Sequence, residues 1–114
     1  MAVTWTPDVG EIVWLDFSPH AGHEQAGHRP ALVLSPQNYN ARRGMMICVP
    51  MTTKIKGYPF EVLIGGAVPS VALSDQVRNV DWRARGATRK GRATPTELAQ
   101  VRIVVASLIG VARR

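Results

Sequence analysis
The chain has 114 residues, of which 46% are apolar and 19% charged, with a formal charge of +6 and a pI near 10.5. Such a length gives one domain, 1–114, with a modest core, and no apolar run approaches the roughly 20 residues a bilayer crossing needs. The single cysteine, Cys48, excludes an internal disulfide and a thiolate-built zinc site within one chain, and the charge draws the protein toward polyanions.

Pro7, Asp8 and Gly10 are turn formers, and E-I-V-W-L-D-F over 11–17 has the β-branched and aromatic content of a strand. Val13, Leu15 and Phe17 share one face of it, with Ile12, Trp14 and Asp16 on the other. The stretch 18–28 is a polar loop punctuated by Pro19, Gly22 and Gly27. A strand over 30–35 follows, with Pro30 at its first position, where proline is tolerated.

Residues 36–44 form a polar connection, with room for a helical turn ended by Gly44. M-M-I-C-V-P over 45–50 is a continuous apolar run of strand length, as in a central buried strand. Thr52, Thr53, Lys54 and Lys56 make a polar loop closed by Gly57. Strands over 60–64 and 71–73 flank the turn at Gly65 and Gly66, and 75–81 alternates in part, with Val77 and Val80 inward and Arg78 outward.

Arg78, Arg83, Arg85, Arg89, Lys90 and Arg92 crowd into 78–92, opposed by Asp81 alone, with Trp82 among them. Such a run is either a solvated basic face or a surface that tracks phosphates. Thr94-Pro95-Thr96-Glu97 then places a hydroxyl at N-cap, proline at N1 and glutamate at N3 of a final helix. Leu98, Val101, Val105, Leu108 and Ile109 give it an apolar stripe, and Gly110 stops it. The pattern predicts a mainly β (α+β) chain, a small barrel or sandwich sealed by a C-terminal helix.

Three groups of residues invite chemistry. His20, His23 and His28 with Glu24 are metal-ligand types, but Pro19 and Gly22 break any helical spacing, so solvated loop histidines and no metal are expected. No serine sits on a glycine-flanked nucleophile elbow, and Cys48 lies within an apolar strand, where a thiol is a core residue. The third group is Glu24, Arg29 and Thr52, which share one rim if the strands from Pro30 and Met45 are neighbours. There a guanidinium offers paired donors to a phosphate, although Glu24 and Arg29 could equally be a loop ion pair of little energetic worth.

Five ordered blocks carry more than spacing: G-E-I-V-W-L-D-F, G-H-E-Q-A-G-H-R-P-A-L-V-L-S-P, C-V-P-M-T-T-K-I-K-G-Y-P-F-E-V, A-L-S-D-Q-V-R-N-V-D-W-R-A-R-G-A-T and the final L-I-G. Together they closely resemble the MazF (PemK-like) endoribonuclease toxins of bacterial toxin–antitoxin modules. The resemblance implies an SH3-like barrel shared with the CcdB gyrase poisons, a homodimer, and sequence-specific, metal- and cofactor-independent cutting of single-stranded RNA; the N-terminal M-A-V-T-W-T-P-D, without the pattern of a secretory signal, points to the cytoplasm. It implies an acidic antitoxin partner and no membrane. It carries the family's catalytic arginine onto Arg29, its acidic loop residue onto Glu24 and its threonine onto Thr52, with His28, Thr53, Lys56, Gln76 and Arg85 along the RNA path. The turn 65–70 lacks charges common in the family, and His23 stands where serine is common.

The implied chemistry uses the substrate's own 2′-hydroxyl and leaves 2′,3′-cyclic phosphate and 5′-hydroxyl ends. Glu24 is the expected base, with His28 in reserve: a free glutamate titrates near roughly 4.3 and a free histidine near roughly 6.5. Neighbouring side chains on a strand point to opposite faces, which argues against His28 and Arg29 both meeting one phosphate. Trp14, Trp82, Tyr39, Tyr58 and Phe17 are candidate stacking surfaces for bases. Two rival readings stand beside the nuclease: a non-enzymatic toxin of this fold that binds a protein such as gyrase, and a nucleic-acid-binding module without turnover.

Overall fold
A computed structural model describes residues 5–18 and 27–111, so His20, His23 and Glu24 lie outside the described residues. Seven strands and two helices are described, in the order β1 (Glu11–Asp16), β2 (His28–Val33), α1 (Gln37–Arg43), β3 (Met46–Thr52), β4 (Glu61–Ile64), β5 (Ser70–Leu73), β6 (Arg78–Val80), β7 (Thr88–Arg92) and α2 (Pro95–Leu108).

The strands that read as apolar throughout are the ones covered on both faces. Alternate residues of β1, β2 and β3 feed two separate cores. Ile12, Leu32, Val49 and Met51 meet Val62, Ile64, Ala72 and Val101, with Leu98, Val104 and Val105 of α2 packed against them. Val13, Leu15, Phe17, Ala31, Val33, Met46 and Cys48 meet Val80 and Trp82 on the other side. Burying each large side chain here stabilises by about 1.5–3 kcal/mol.

All pairings are antiparallel, and the strands run in the order β4-β5-β3-β2-β1-β7. β3 is central. One edge pairs with β2, while the other is divided between β6 at Met46–Cys48 and β5 at Met51–Thr52. That division bends the sheet without closing it, because β4 and β7 remain the two ends of the path. The mostly β chain with a C-terminal helix is as expected, whereas the closed barrel becomes an open, bent sheet.

Proline sits two residues inside β2 rather than at its start, since the strand begins at His28. Pairing with β3 begins only at Ala31, beyond the proline, so its missing donor interrupts no bond on that side. Gly44 ends α1 in the left-handed region at φ 66°, donating its N–H to the Asn40 carbonyl. Asn40 is fully buried and ties that helix to the N-terminal turn, donating to the carbonyls of Pro7 and Ser35 at 2.8 and 3.0 Å.

Two expectations change, and one further segment proves to be a strand. Val77 is exposed, while Arg78 turns inward with its guanidinium 5.3 Å from the Phe17 ring centroid. Half of the basic run is a strand, β7, which lacks β-forming apolar residues and is held by its pairing with β1. The stripe on α2 is buried only near Val101, and Leu108 and Ile109 stand 56% and 72% exposed.

The capping box on α2 is complete: Glu97 N–H donates to Thr94 Oγ1 at 3.1 Å, and Thr94 N–H donates to Glu97 Oε1 at 2.9 Å. Thr94→Ala removes the first of these and is expected to lower unfolding stability by roughly 1 kcal/mol, read as a shifted urea midpoint with an unchanged slope.

Candidate active site at the β2–β3 rim
β2 begins where β3 ends. Their register sets Ala31 against Pro50, and two positions further along the same pair Arg29 and Thr52 reach one rim. Thr52 is buried, and its Oγ1 accepts the Lys54 N–H at 3.1 Å, a bond that does not use the hydroxyl proton. Arg29 is half-buried.

Two grooves meet at this rim, and Arg29 and Thr52 line both. The first, of about 410 Å³, is also lined by Lys54, Lys56, Tyr58 and Gln76, with the carboxylates of Glu61 and Asp75 in its wall. The second, of about 420 Å³, adds Trp14, His28, Thr53, Val68, Ser70 and Lys90.

The loop after β3 is shaped by a carboxylate. Glu61 Oε1 accepts N–H groups from Lys56 at 3.1 Å and Gly57 at 2.9 Å, which fixes the backbone that carries the exposed Lys54 and Lys56. Tyr58 is stacked on Phe60, with centroids 5.2 Å apart, and is half exposed to the groove.

On the second side, the His28 imidazole stacks on the Trp14 indole at 5.5 Å and 15°. The Lys90 ammonium lies 5.3 Å from the same ring. The alternation argument holds for direction, since His28 shares a face with Trp14, yet His28 and Arg29 still border the same groove.

Ser18 and Gly27, which flank the segment that contains Glu24, stand at this end of the sheet. Phe17 N–H donates to the Gly27 carbonyl at 2.8 Å, and Gly27 N–H donates to Ser18 Oγ at 3.2 Å. Gly27 has φ 81°, a conformation that suits glycine where the chain turns into β2. Arg85 is in neither groove; its guanidinium donates to the Asp16 and Ser18 carbonyls, both at 3.0 Å, and so fastens the Ser18 side of that segment.

The sequence profile of the PemK-like, MazF-like toxins of type II toxin–antitoxin systems matches residues 8–109. The chain belongs to this family. It is 53% identical over 111 residues to the endoribonuclease toxin MazF of Escherichia coli K12, across 96% of this chain and all of that protein. Its fold superposes on crystalline MazF from Deinococcus radiodurans with a TM-score of 0.90 at 49% identity, covering 94% of this chain and 99% of that one. A MazE–MazF crystal structure from the same organism matches with a TM-score of 0.84 at 42% identity, over 96% of this chain and all of that one.

Within this family member, several side chains named from the sequence prove to be structural. Phe17 and Trp82 are core residues, not stacking surfaces, and Tyr39 is half-buried with its hydroxyl accepting from Asn79 Nδ2 at 3.1 Å. Burial pushes the Cys48 thiol up to about 12, far from a reactive thiolate. Among the described residues no group of three or more His, Cys, Asp or Glu is placed to hold a metal, and no helix is long and apolar enough to cross a membrane. Lys54, Asp75 and Lys90 line the grooves without having been named as site residues, because only the fold brings their segments to the rim.

The wall of the second groove is tied to α2. Glu97 Oε2 accepts the Gly65 N–H at 2.7 Å, at the foot of the turn that presents Val68. Burial works against ionisation of Glu97, and the hydrogen bonds from Gly65 and Thr94 outweigh it, so its carboxyl lies below the ordinary value. A depressed folded pKa means that this stabilisation is complete above the unfolded value and is lost as pH falls through the folded one. Glu97→Gln is therefore expected to flatten the decline of the urea midpoint as the pH falls below the ordinary carboxylate range, while lowering the midpoint near neutrality.

Proposed function
We propose that this chain is an endoribonuclease toxin that cuts single-stranded RNA at the β2–β3 rim. The reading is carried by one observation: Arg29 and Thr52 meet at the junction of two grooves otherwise supplied with lysines and aromatic rings. An extended polyanion laid along both grooves has one phosphate at their junction, and ring faces on either side of it for splayed bases. The E. coli relative favours turnover over a binding-only or gyrase-poison role, since it is named an endoribonuclease toxin.

Cleavage requires no group beyond the chain, its substrate and water. The 2′-oxygen bonds to the adjacent phosphorus as its proton leaves, and the bond from phosphorus to the 5′-oxygen breaks as that oxygen takes a proton from solvent water. Products are a 2′,3′-cyclic phosphate and a 5′-hydroxyl. Arg29 binds the non-bridging oxygens through paired donors, and Thr52 donates its hydroxyl proton to one of them, so the negative charge that builds at phosphorus meets fixed donors. Glu24 takes the 2′-hydroxyl proton, with His28 second to it for that role. Thr53, Lys56 and Gln76 hold the flanking nucleotides, and Arg85 acts at one remove by fastening Asp16 and Ser18.

The partner is an acidic antitoxin, as the MazE–MazF pairing of the D. radiodurans relative suggests for a protein of charge +6. The toxin acts in the cytoplasm as a homodimer. Its self-association surface is the apolar groove of about 450 Å³ between Phe60 and Ile103, Val104 and Leu108, continuous with the exposed end of α2.

Incubation with long single-stranded RNA in excess chelator tests the activity. Discrete cuts bearing cyclic phosphate are expected, and Arg29→Ala is expected to slow them on the order of 100- to 1,000-fold with the circular dichroism spectrum unchanged. Chelator-sensitive cutting, or full activity in that variant, would remove this mechanism. For the dimer, sedimentation at micromolar concentration is expected to give twice the chain mass, and Leu108→Glu to give the monomer.

A further inference from the structure
We propose that Trp14 is the stacking floor for one RNA base beside the cleaved phosphate, and that Lys90 is its removable cover. This rests on the RNA-cutting reading and adds to it the residues that set sequence preference.

The cover is built by a bulge. Between β1 and β7 the register passes from Ile12–Gly91 to Val13–Arg89, which leaves Lys90 without a partner. In an unbroken register Lys90 would face Val13, whose side chain is fully buried. The bulge gives that position to Arg89, whose Nε bonds Glu11 Oε2 at 3.2 Å, and frees Lys90 to lie over Trp14. Bulges of this kind commonly re-aim a side chain next to a functional site.

The indole is flanked from both neighbouring strands, by His28 from β2 and by Lys90 from β7. The imidazole stacks parallel to the indole, whereas the lysine contact is an exposed cation over a half-buried ring, which is weak. A nucleobase makes a stronger contact with an aromatic face than such a cation does. The base therefore takes the lysine's place, and the released ammonium, on a four-carbon stem, moves to a phosphate of the same strand. Trp14 suits this role because the other large rings on this part of the sheet, Phe17 and Trp82, are sealed in the core. Thr53 and Ser70 line the same groove and supply hydroxyls for the edge of the stacked base.

Two variants test the exchange against wild type, by sequencing the ends of a digested long RNA and by kinetics on an oligonucleotide taken from the best wild-type site. Trp14→Leu is expected to lose discrimination at one nucleotide next to the cut and to raise KM on the order of 10-fold, with kcat little changed. Lys90→Met is expected to keep the base preference but to make log KM less dependent on log salt concentration, by about one phosphate contact. A folded Trp14→Leu with the wild-type cut profile would overturn the proposal. Should Trp14→Leu not fold, Lys90→Met decides alone: an unchanged salt slope overturns the exchange, and a reduced one supports it. Cutting by wild type with either overturning result leaves the nuclease reading intact, whereas wild-type protein that does not cut RNA removes both.

Discussion

The structure depends on the register between β2 and β3. Ala31 and Val33 enter one core and Leu32 the other, facing Pro50, Cys48 and Val49 across the ladder. Because both faces are buried, sliding the pair by one residue would exchange the two cores' contents, and no partial slip is tolerated. That same register carries Arg29 to Thr52. The alignment of the proposed catalytic pair is thus set by hydrophobic packing several residues away, which holds it more firmly than a loop would.

The surplus of positive charge is not uniform in use. Arg89 and Arg92 lie against the buried Glu11 carboxylate, at 3.2 and 4.0 Å, and Arg85 is spent on two backbone carbonyls. The cations that line the grooves are Arg29 at the rim and Lys54, Lys56 and Lys90 away from it. This division follows from the side chains. A planar guanidinium fixes the orientation of one phosphate, while an ammonium on a flexible stem follows phosphates whose position changes with the bases between them.

Much of this was legible in the chain, and the failures share a cause. The capping box of α2, the two-faced burial of β1 and the central place of β3 are encoded locally, by Thr94 and Glu97, by the neighbours Ile12 and Val13, and by the run from Met46 to Pro50. β7 was not legible, because Thr-Arg-Lys-Gly-Arg has no strand signal of its own and is a strand only beside β1. Val77 and Arg78 take sides opposite to those their hydropathy suggests for the same reason: alternation shows that two neighbours differ, and only the pairing partner shows which is inward. At the site, Arg29 and Thr52 stood out by residue type and motif, but the Trp14–Lys90 arrangement is a property of a bulge between two strands, visible in neither alone.

On the proposed reading, RNA and an acidic antitoxin tail would present the same feature to this surface, a chain of negative charges, so Arg29, Lys54 and Lys56 would not by themselves distinguish them. Charge sets how fast either arrives, and salt weakens both. Discrimination has to come from what lies between the charges. A nucleic acid brings a flat base every few ångströms, and the second groove, with Trp14, His28 and two hydroxyls, is furnished for one. A peptide instead brings apolar side chains and backbone donors. On the proposed assignment the first groove supplies affinity common to substrate and inhibitor, and the second supplies the preference that makes one of them a substrate.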